Sequence, residues 1–319
     1  RLGRVHAANL AHKIPGAVLT AACVPGADSQ AYARQELGLE KVYGDFREMV
    51  ADPELDAVAI VSPSGEHCWQ IEAALDAGKH VFSEKPLGVT MEQCLQAEAA
   101  VARHPELVCM LGFMRRYDKS YAYAKEKIAA GAIGTPYLVK STGIDPEAVV
   151  EGAIRYSGTS GGIFLDSAIH DIDLMRWFLG SEAAEVYAMG CTFKHPAFQD
   201  AGDDETGVAV YKFKNGAMGM VHVGHHIETE IVGTEGTIRI SAVPEKNRAM
   251  VYDVNGARTE CVESFPERFA EAYLTEMEEF VRCVREGRKP DTGVADGIYA
   301  TRVGYATTEA WKTGKIVKI

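Results

Sequence analysis

Over roughly the first 110 positions, short continuous apolar runs alternate with stretches of helical character. Residues 17–24 (AVLTAACV) predict a strand, and 28–37 predict a helix stopped by Gly38, a residue suited to a left-handed C-cap. Residues 46–50 predict a short helix before Asp52-Pro53, and 57–62 (AVAIVS) a central strand entering a Ser62-Pro63-Ser64 loop. A helix over 66–77, a strand over 80–83, a helix over 91–103 and a strand over 108–113 continue the alternation. Strands that are apolar on both faces and separated by helices belong inside a parallel sheet covered on both sides.

Beyond residue 113 the pattern changes. Residues 120–130 predict one helix and 162–179 contain another, and then strand follows strand over 186–192, 206–212, 217–222, 228–232 and 237–240. Turn signals separate them, among them Lys214-Asn215-Gly216 and Gly233-Thr234-Glu235-Gly236. Strands in succession after helices imply a large, mostly antiparallel open sheet with helices on one face. Helices over 269–285 and 297–313 close the chain. The fold class expected is α/β in two domains, a doubly wound parallel sheet over 1–113 and a second α/β domain over 114–319.

Length and composition agree with that division. A chain of 319 residues exceeds one ordinary core, and 47% hydrophobic with 24% charged residues is the balance of a folded, soluble protein. No run approaches the ~20 apolar residues that span a bilayer, and residues 1–13 carry no signal-peptide core, so a cytoplasmic location is expected. A formal charge of −12 counts against nucleic acid and against an anionic membrane surface as partners. The seven cysteines are scattered without a CxxC pair, which predicts reduced thiols rather than disulfides or a zinc site. No metal is expected.

Two regions carry candidate chemistry. Gly3 precedes a helical stretch and reads as the last glycine of a G-x-G-x-x-G turn, in which backbone N–H groups at a helix N-terminus hold a pyrophosphate. The strand and earlier glycines of that turn would lie before Arg1, so missing residues are expected there. After the strand at 17–24, where an acid usually holds the ribose, the chain reads Val24-Pro25-Gly26-Ala27-Asp28. No Lys or Arg stands beside it, and Arg34 falls within the following helix. NAD is therefore favoured, and NADP stays open.

Glu84-Lys85-Pro86 follows a buried strand at its C-terminal end, where ligands bind in open α/β sheets. In the segment 161–173 (GGIFLDSAIHDID), Asp166 and His170 stand four residues apart and Asp173 three further on, which places them on one face of a helix. Three readings fit: an Asp–His hydrogen bond within a core, a divalent metal site, or an acid–base pair.

The motifs at 84–86, 112–118 (GFMRRYD) and 161–173 together resemble the Gfo/Idh/MocA oxidoreductase family, and within it the inositol dehydrogenases, from Gly3 to the C-terminus. The resemblance implies an N-terminal Rossmann domain and a C-terminal α/β domain whose open sheet mediates oligomerisation, to a homotetramer. It implies a small polyol substrate, a ring CH–OH of myo-inositol or a stereoisomer losing hydride to NAD and becoming a keto-inositol. Carried across by motif position, Lys85, Asp166 and His170 are catalytic, and Arg115, Asp145 and Asp173 bind substrate. Gly3, Arg4, Ser62, Ser64, His67, Glu84 and Lys85 line the cofactor. On that reading His170 takes the hydroxyl proton, Asp166 orients its ring, and Lys85 stabilises the developing alkoxide. Dehydrogenases of an aldose, a glycoside or an amino-sugar are the alternatives within the class. A non-catalytic nucleotide-binding sensor and a metal-dependent hydrolase are the alternatives outside it.

Overall fold

The computed structural model describes residues 2–143, 150–223, 228–240, 245–254, 256–262 and 265–319. It divides into two compact units, Arg1–Met114 with Ala272–Thr301 and Arg115–Glu271 with Arg302–Ile319. The first unit thus draws in a late segment that a linear division at residue 113 does not include.

The first unit opens with α1 (Leu2–His12), followed by β1 (Ala21–Cys23), α2 (Ala27–Gln35), β2 (Lys41–Tyr43) and α3 (Phe46–Val50). Next come β3 (Ala57–Ile60), α4 (His67–Asp76), β4 (His80–Glu84), α5 (Met91–Arg103) and β5 (Cys109–Gly112). All strand pairs are parallel: β1 lies beside β2, and β3, β4 and β5 form a second ladder. They correspond to the two flanks of a doubly wound sheet, whose strand order is 3-2-1-4-5-6. Sequence explains the boundaries. Asp45 caps α3 by accepting from the backbone N–H of Arg47 and Glu48, and Thr90 caps α5 through Gln93 N–H. Strand β4 is buried on both faces beyond its first residue, as a central parallel strand requires.

In the second unit the order is α6 (Lys119–Ala129), β6 (Pro136–Gly143), α7 (Val150–Ser160), a π-helical turn (Ile163–Ser167) and α8 (Ile169–Leu179). There follow β7 (Ala183–Cys191), α9 (Ala197–Asp200), β8 (Thr206–Phe213), β9 (Met218–Val223), β10 (Glu228–Gly233) and β11 (Thr237–Ile240). The hairpin β12 (Glu245–Asp253) and β13 (Gly256–Cys261) precedes α10 (Phe265–Arg268), α11 (Ala270–Glu286), α12 (Val294–Thr313) and β14 (Val317–Lys318). Seven strands form one sheet in the order β11-β10-β6-β9-β8-β7-β14, antiparallel except for the β6–β9 pair. Helix α8 and the π turn pack on one face of it, against β6, β8 and β9. On β8 burial alternates residue by residue, so the opposite face exposes Val208 and Val210 beside Tyr187 and Met189 of β7.

The helix expected within 162–179 is α8. Gly161 and Gly162 both adopt positive φ, and Asp203 accepts from the Ile163 N–H at 3.0 Å, so a π turn forms first and α8 starts only at Ile169. Strand β6, in the middle of the sheet, was not expected from the pattern. Its inward positions are Val139, Ser141 and Gly143, too polar and too small to show an apolar alternation.

Candidate active site

In the first unit, the loops after β3 and β4 are tied to each other by side chains of the intervening helices. His67 is buried, with Nδ1 2.7 Å from Pro86 O and Nε2 3.0 Å from Ser62 O. Gln93 accepts from Val89 N–H at 3.1 Å and donates to Gly65 O at 3.4 Å. Ser62 Oγ donates to Gln70 at 2.6 Å, and Ser64 opens a single 3₁₀ turn. His67 therefore holds the two loops in register, and the Ser62 hydroxyl is engaged within the unit.

Lys85 leaves β4 half-buried, and its backbone N–H donates to Glu84 Oε2 at 3.1 Å. Glu84 itself points inward: it is buried, and its Oε1 accepts from His6 Nε2 of α1 at 2.8 Å. An added Cβ at Gly112 would come 3.2 Å from the Glu84 carboxylate, so the adjacent strand is kept small to admit it. Gly3 lies in the first turn of α1, where an added Cβ would stand 3.9 Å from Val61, an ordinary contact. The Arg4 guanidinium lies over the Tyr32 ring, 4.3 Å from its centroid.

In the second unit the acidic residues of the 161–173 motif have separate fates. His170 is buried in the first turn of α8, whereas Asp166 is half-buried in the π turn before it. Asp173 is buried and makes a two-pronged ion pair with Arg116, Nε to Oδ2 at 2.8 Å and Nη2 to Oδ1. Asp171, wholly buried, accepts from Arg115 Nη1 and from Ser141 Oγ through one oxygen, Oδ1. Arg115 and Asp173, expected against substrate, are thus both engaged in ion pairs that fasten α8 to the Arg115-Arg116 segment. Gly143 completes the arrangement: a Cβ there would fall 2.7 Å from Asp171 Oδ2 and 3.1 Å from Arg115 Nη2. Asp145 lies outside the described residues, as do 224–227.

Sequence reasoning passed over Arg116, Asp171, His6, Gln93 and Asp203. The basic pair at 115–116 and the acids at 171 and 173 are visible in the sequence, but their pairing across 56 and 57 residues is not. Among the described residues, the cluster of three His or carboxylate atoms close enough to share an ion is His6, Glu84 and Glu276, and no such cluster includes His170.

Known proteins match the whole chain. Residues 1–113 match the NAD-binding Rossmann-fold model of the Gfo/Idh/MocA oxidoreductase family, and 125–319 match the model of its C-terminal alpha/beta domain. A scyllo-inositol 2-dehydrogenase (NAD(+)) of Bacillus subtilis is 36% identical over 325 aligned positions, covering 100% of this chain and 94% of the relative. A myo-inositol 2-dehydrogenase of Thermotoga maritima is 32% identical, with 100% and 96% covered. Among solved structures, scyllo-inositol dehydrogenase from Lactobacillus casei with bound NAD(H) and scyllo-inositol superposes with a TM-score of 0.95. It is 42% identical to this chain, with 100% of this chain and 96% of that one covered. Myo-inositol 2-dehydrogenase from Lactobacillus plantarum superposes at 0.97 with 37% identity, covering 100% and 96%. The chain belongs to the Gfo/Idh/MocA oxidoreductase family, with a Rossmann-type first domain and a C-terminal α/β domain built on a mixed, mostly antiparallel sheet.

Proposed function

We propose that this protein is an NAD-dependent dehydrogenase of a cyclitol, taking hydride from a ring CH–OH of an inositol and leaving a keto-inositol. The observation that carries the reading is the full-length likeness to dehydrogenases named for scyllo- and myo-inositol, joined to a buried histidine on a helix anchored by two internal ion pairs. A base that must meet a hydroxyl within a fraction of an ångström needs such a rigid mount.

NAD fits the first unit. The helix α1 brings the N–H groups of its first turn beside Val61, just past β3, where a diphosphate is held in doubly wound folds. Past β1 the Val24 carbonyl accepts from Gln30 at 3.0 Å, and the Arg4 guanidinium lies over the Tyr32 ring. Bound NAD would supply the hydride acceptor; the remaining work falls to the chain. His170 takes the hydroxyl proton, since imidazole ordinarily titrates near neutral pH. Asp166 steadies the charge that forms on the ring, and the Lys85 ammonium stabilises the developing alkoxide. Arg115, Arg116, Asp171 and Asp173 hold α8 in place.

The test is a cofactor-reduction assay over inositols and aldoses, with NAD and NADP side by side. Turnover of scyllo- or myo-inositol with NAD is expected, and turnover confined to aldoses would overturn the substrate while keeping the class. His170→Ala should lower kcat by roughly 10²–10⁴ and abolish the rise of oxidation rate with pH. A folded His170→Ala protein with ordinary turnover would refute the mechanism. The exposed face carrying Tyr187, Met189, Val208 and Val210 is the proposed contact of a homotetramer, and light scattering on the eluting protein would show a monomer if that is wrong.

A further inference from the structure

The first unit buries a carboxyl that this chemistry does not use. Glu276 of α11 is fully buried, and neither of its side-chain oxygens has a hydrogen-bond partner among the described residues. One polar atom each from His6, Glu84 and Glu276 lies within 4.8 Å of the others. The surroundings are aromatic: Phe82 and Tyr273 stand 5.3 and 5.6 Å from the His6 ring, and Phe280 stands 5.9 Å from Phe82.

Two carboxyls this close in such a setting do not both ionise. The hydrogen bonds decide which of them does. Both Glu84 oxygens are used as acceptors, Oε1 by His6 and Oε2 by the Lys85 backbone N–H, whereas the Glu276 oxygens accept from no described residue. Burial first, and then the charge on Glu84, push the Glu276 carboxyl well above the ordinary carboxylate range. The histidine and carboxylate groups clustered with it among the described residues are His6 from α1 and Glu84 from β4.

We propose that Glu276 stays a neutral acid so that Glu84 stays an anion, which makes His6, Glu84 and Glu276 positioning residues for the main chain of Lys85. The inference rests on Lys85 being the cation at the reacting oxygen, and it adds a part for three residues that the proton chemistry does not use. A second negative charge at Glu276 would force Glu84 to take up a proton, and the charged acceptor at Lys85 N–H would be lost. Strand β4 would then end without the bond that sets the direction of the lysine.

Infrared difference spectra of wild type against Glu276→Gln test the charge state directly. The carbonyl stretch of a buried carboxylic acid should persist in wild type at pH values well above ~4.3, the ordinary glutamate value, and be missing from the variant. Absence of that band in wild type overturns the proposal. Two further readouts follow the lysine. Amide exchange at Lys85, in protein labelled with nitrogen-15 lysine, should be unchanged in Glu276→Gln and accelerated about tenfold or more in Glu84→Gln. With inositol and NAD, Glu84→Gln should lose about 10–100-fold in kcat with a smaller change in KM. A folded Glu84→Gln protein with wild-type exchange at Lys85 overturns the positioning role. The spectra and the exchange rates need no turnover, so an enzyme inactive on every inositol would refute the substrate and leave this inference to be judged by them.

Discussion

In the second unit, Asp171 and Asp173 occupy one turn of α8 with almost no exposure, and each is met by a guanidinium from the Arg115-Arg116 pair. In the first unit Glu276 is as deeply buried and is hydrogen-bonded to no described cation. The two regions solve one problem in opposite ways. Where a forked cation is at hand, the carboxylate is paired with it and the two become a strut, since N–H···O bonds to a planar guanidinium restrict both distance and direction. Where the neighbour is another carboxyl, the proton stays on, and the group contributes shape and neutrality instead of charge. A buried acid is therefore informative only together with what faces it.

The comparison breaks most severely at Asp173. Replacing it with Ala leaves the Arg116 guanidinium buried without its partner, and a loss of about 3–5 kcal/mol is expected from such half-removed pairs. Urea unfolding would measure it. The double variant Arg116→Met with Asp173→Leu sharpens the point, because removing both charges should recover most of that loss; a double variant as unstable as Asp173→Ala would mean that packing, not charge, dominates there.

A smaller effect is expected at Gly143. Its Cβ as alanine would meet Asp171 Oδ2 at 2.7 Å, so β6 or the carboxylate must shift, at a cost of about 1–3 kcal/mol. Thermal unfolding would report the loss, and a wild-type midpoint would show that the Asp171–Arg115 pair adjusts freely.

The mildest test concerns Glu276 and has a sign. Its folded-state value is raised, so above ~4.3 the unfolded chain releases a proton that the folded protein retains. Wild-type stability should therefore fall as pH rises from that point toward the raised native value. Glu276→Gln, which has no proton to release, should escape this fall, and its midpoint should gain on wild type steadily with pH. A gap that does not change with pH would place Glu276 with the ionised acids of α8.

Much of the frame was legible in the chain. The helix at 46–50 and the strand at 237–240 appear at the expected positions, because short apolar periods and capping residues report local burial and local hydrogen bonding. The motifs at 84–86 and 161–173 stood out in the chain as candidates for chemistry, since a lysine after a buried strand and a histidine among apolar residues need a reason to be there. The site's internal bonding was less legible. The His6–Glu84 bond joins residues 78 apart, and the Arg116–Asp173 pair joins residues 57 apart. No periodicity encodes such partners.

What the sequence by itself determined was the order and kind of most elements, the two-part α/β architecture and the family, all of which follow from short-range pattern and residue type. The tertiary structure alone decided that β6 enters the middle of the sheet, where Ser141 and Gly143 face inward because Asp171 needs a donor and room. It alone decided that a π turn precedes α8, since two glycines at positive φ and the distant Asp203 set the backbone there. It also decided which buried acids keep their charge, because that depends on the group brought opposite each one by packing, and the dielectric around them makes the choice costly to reverse.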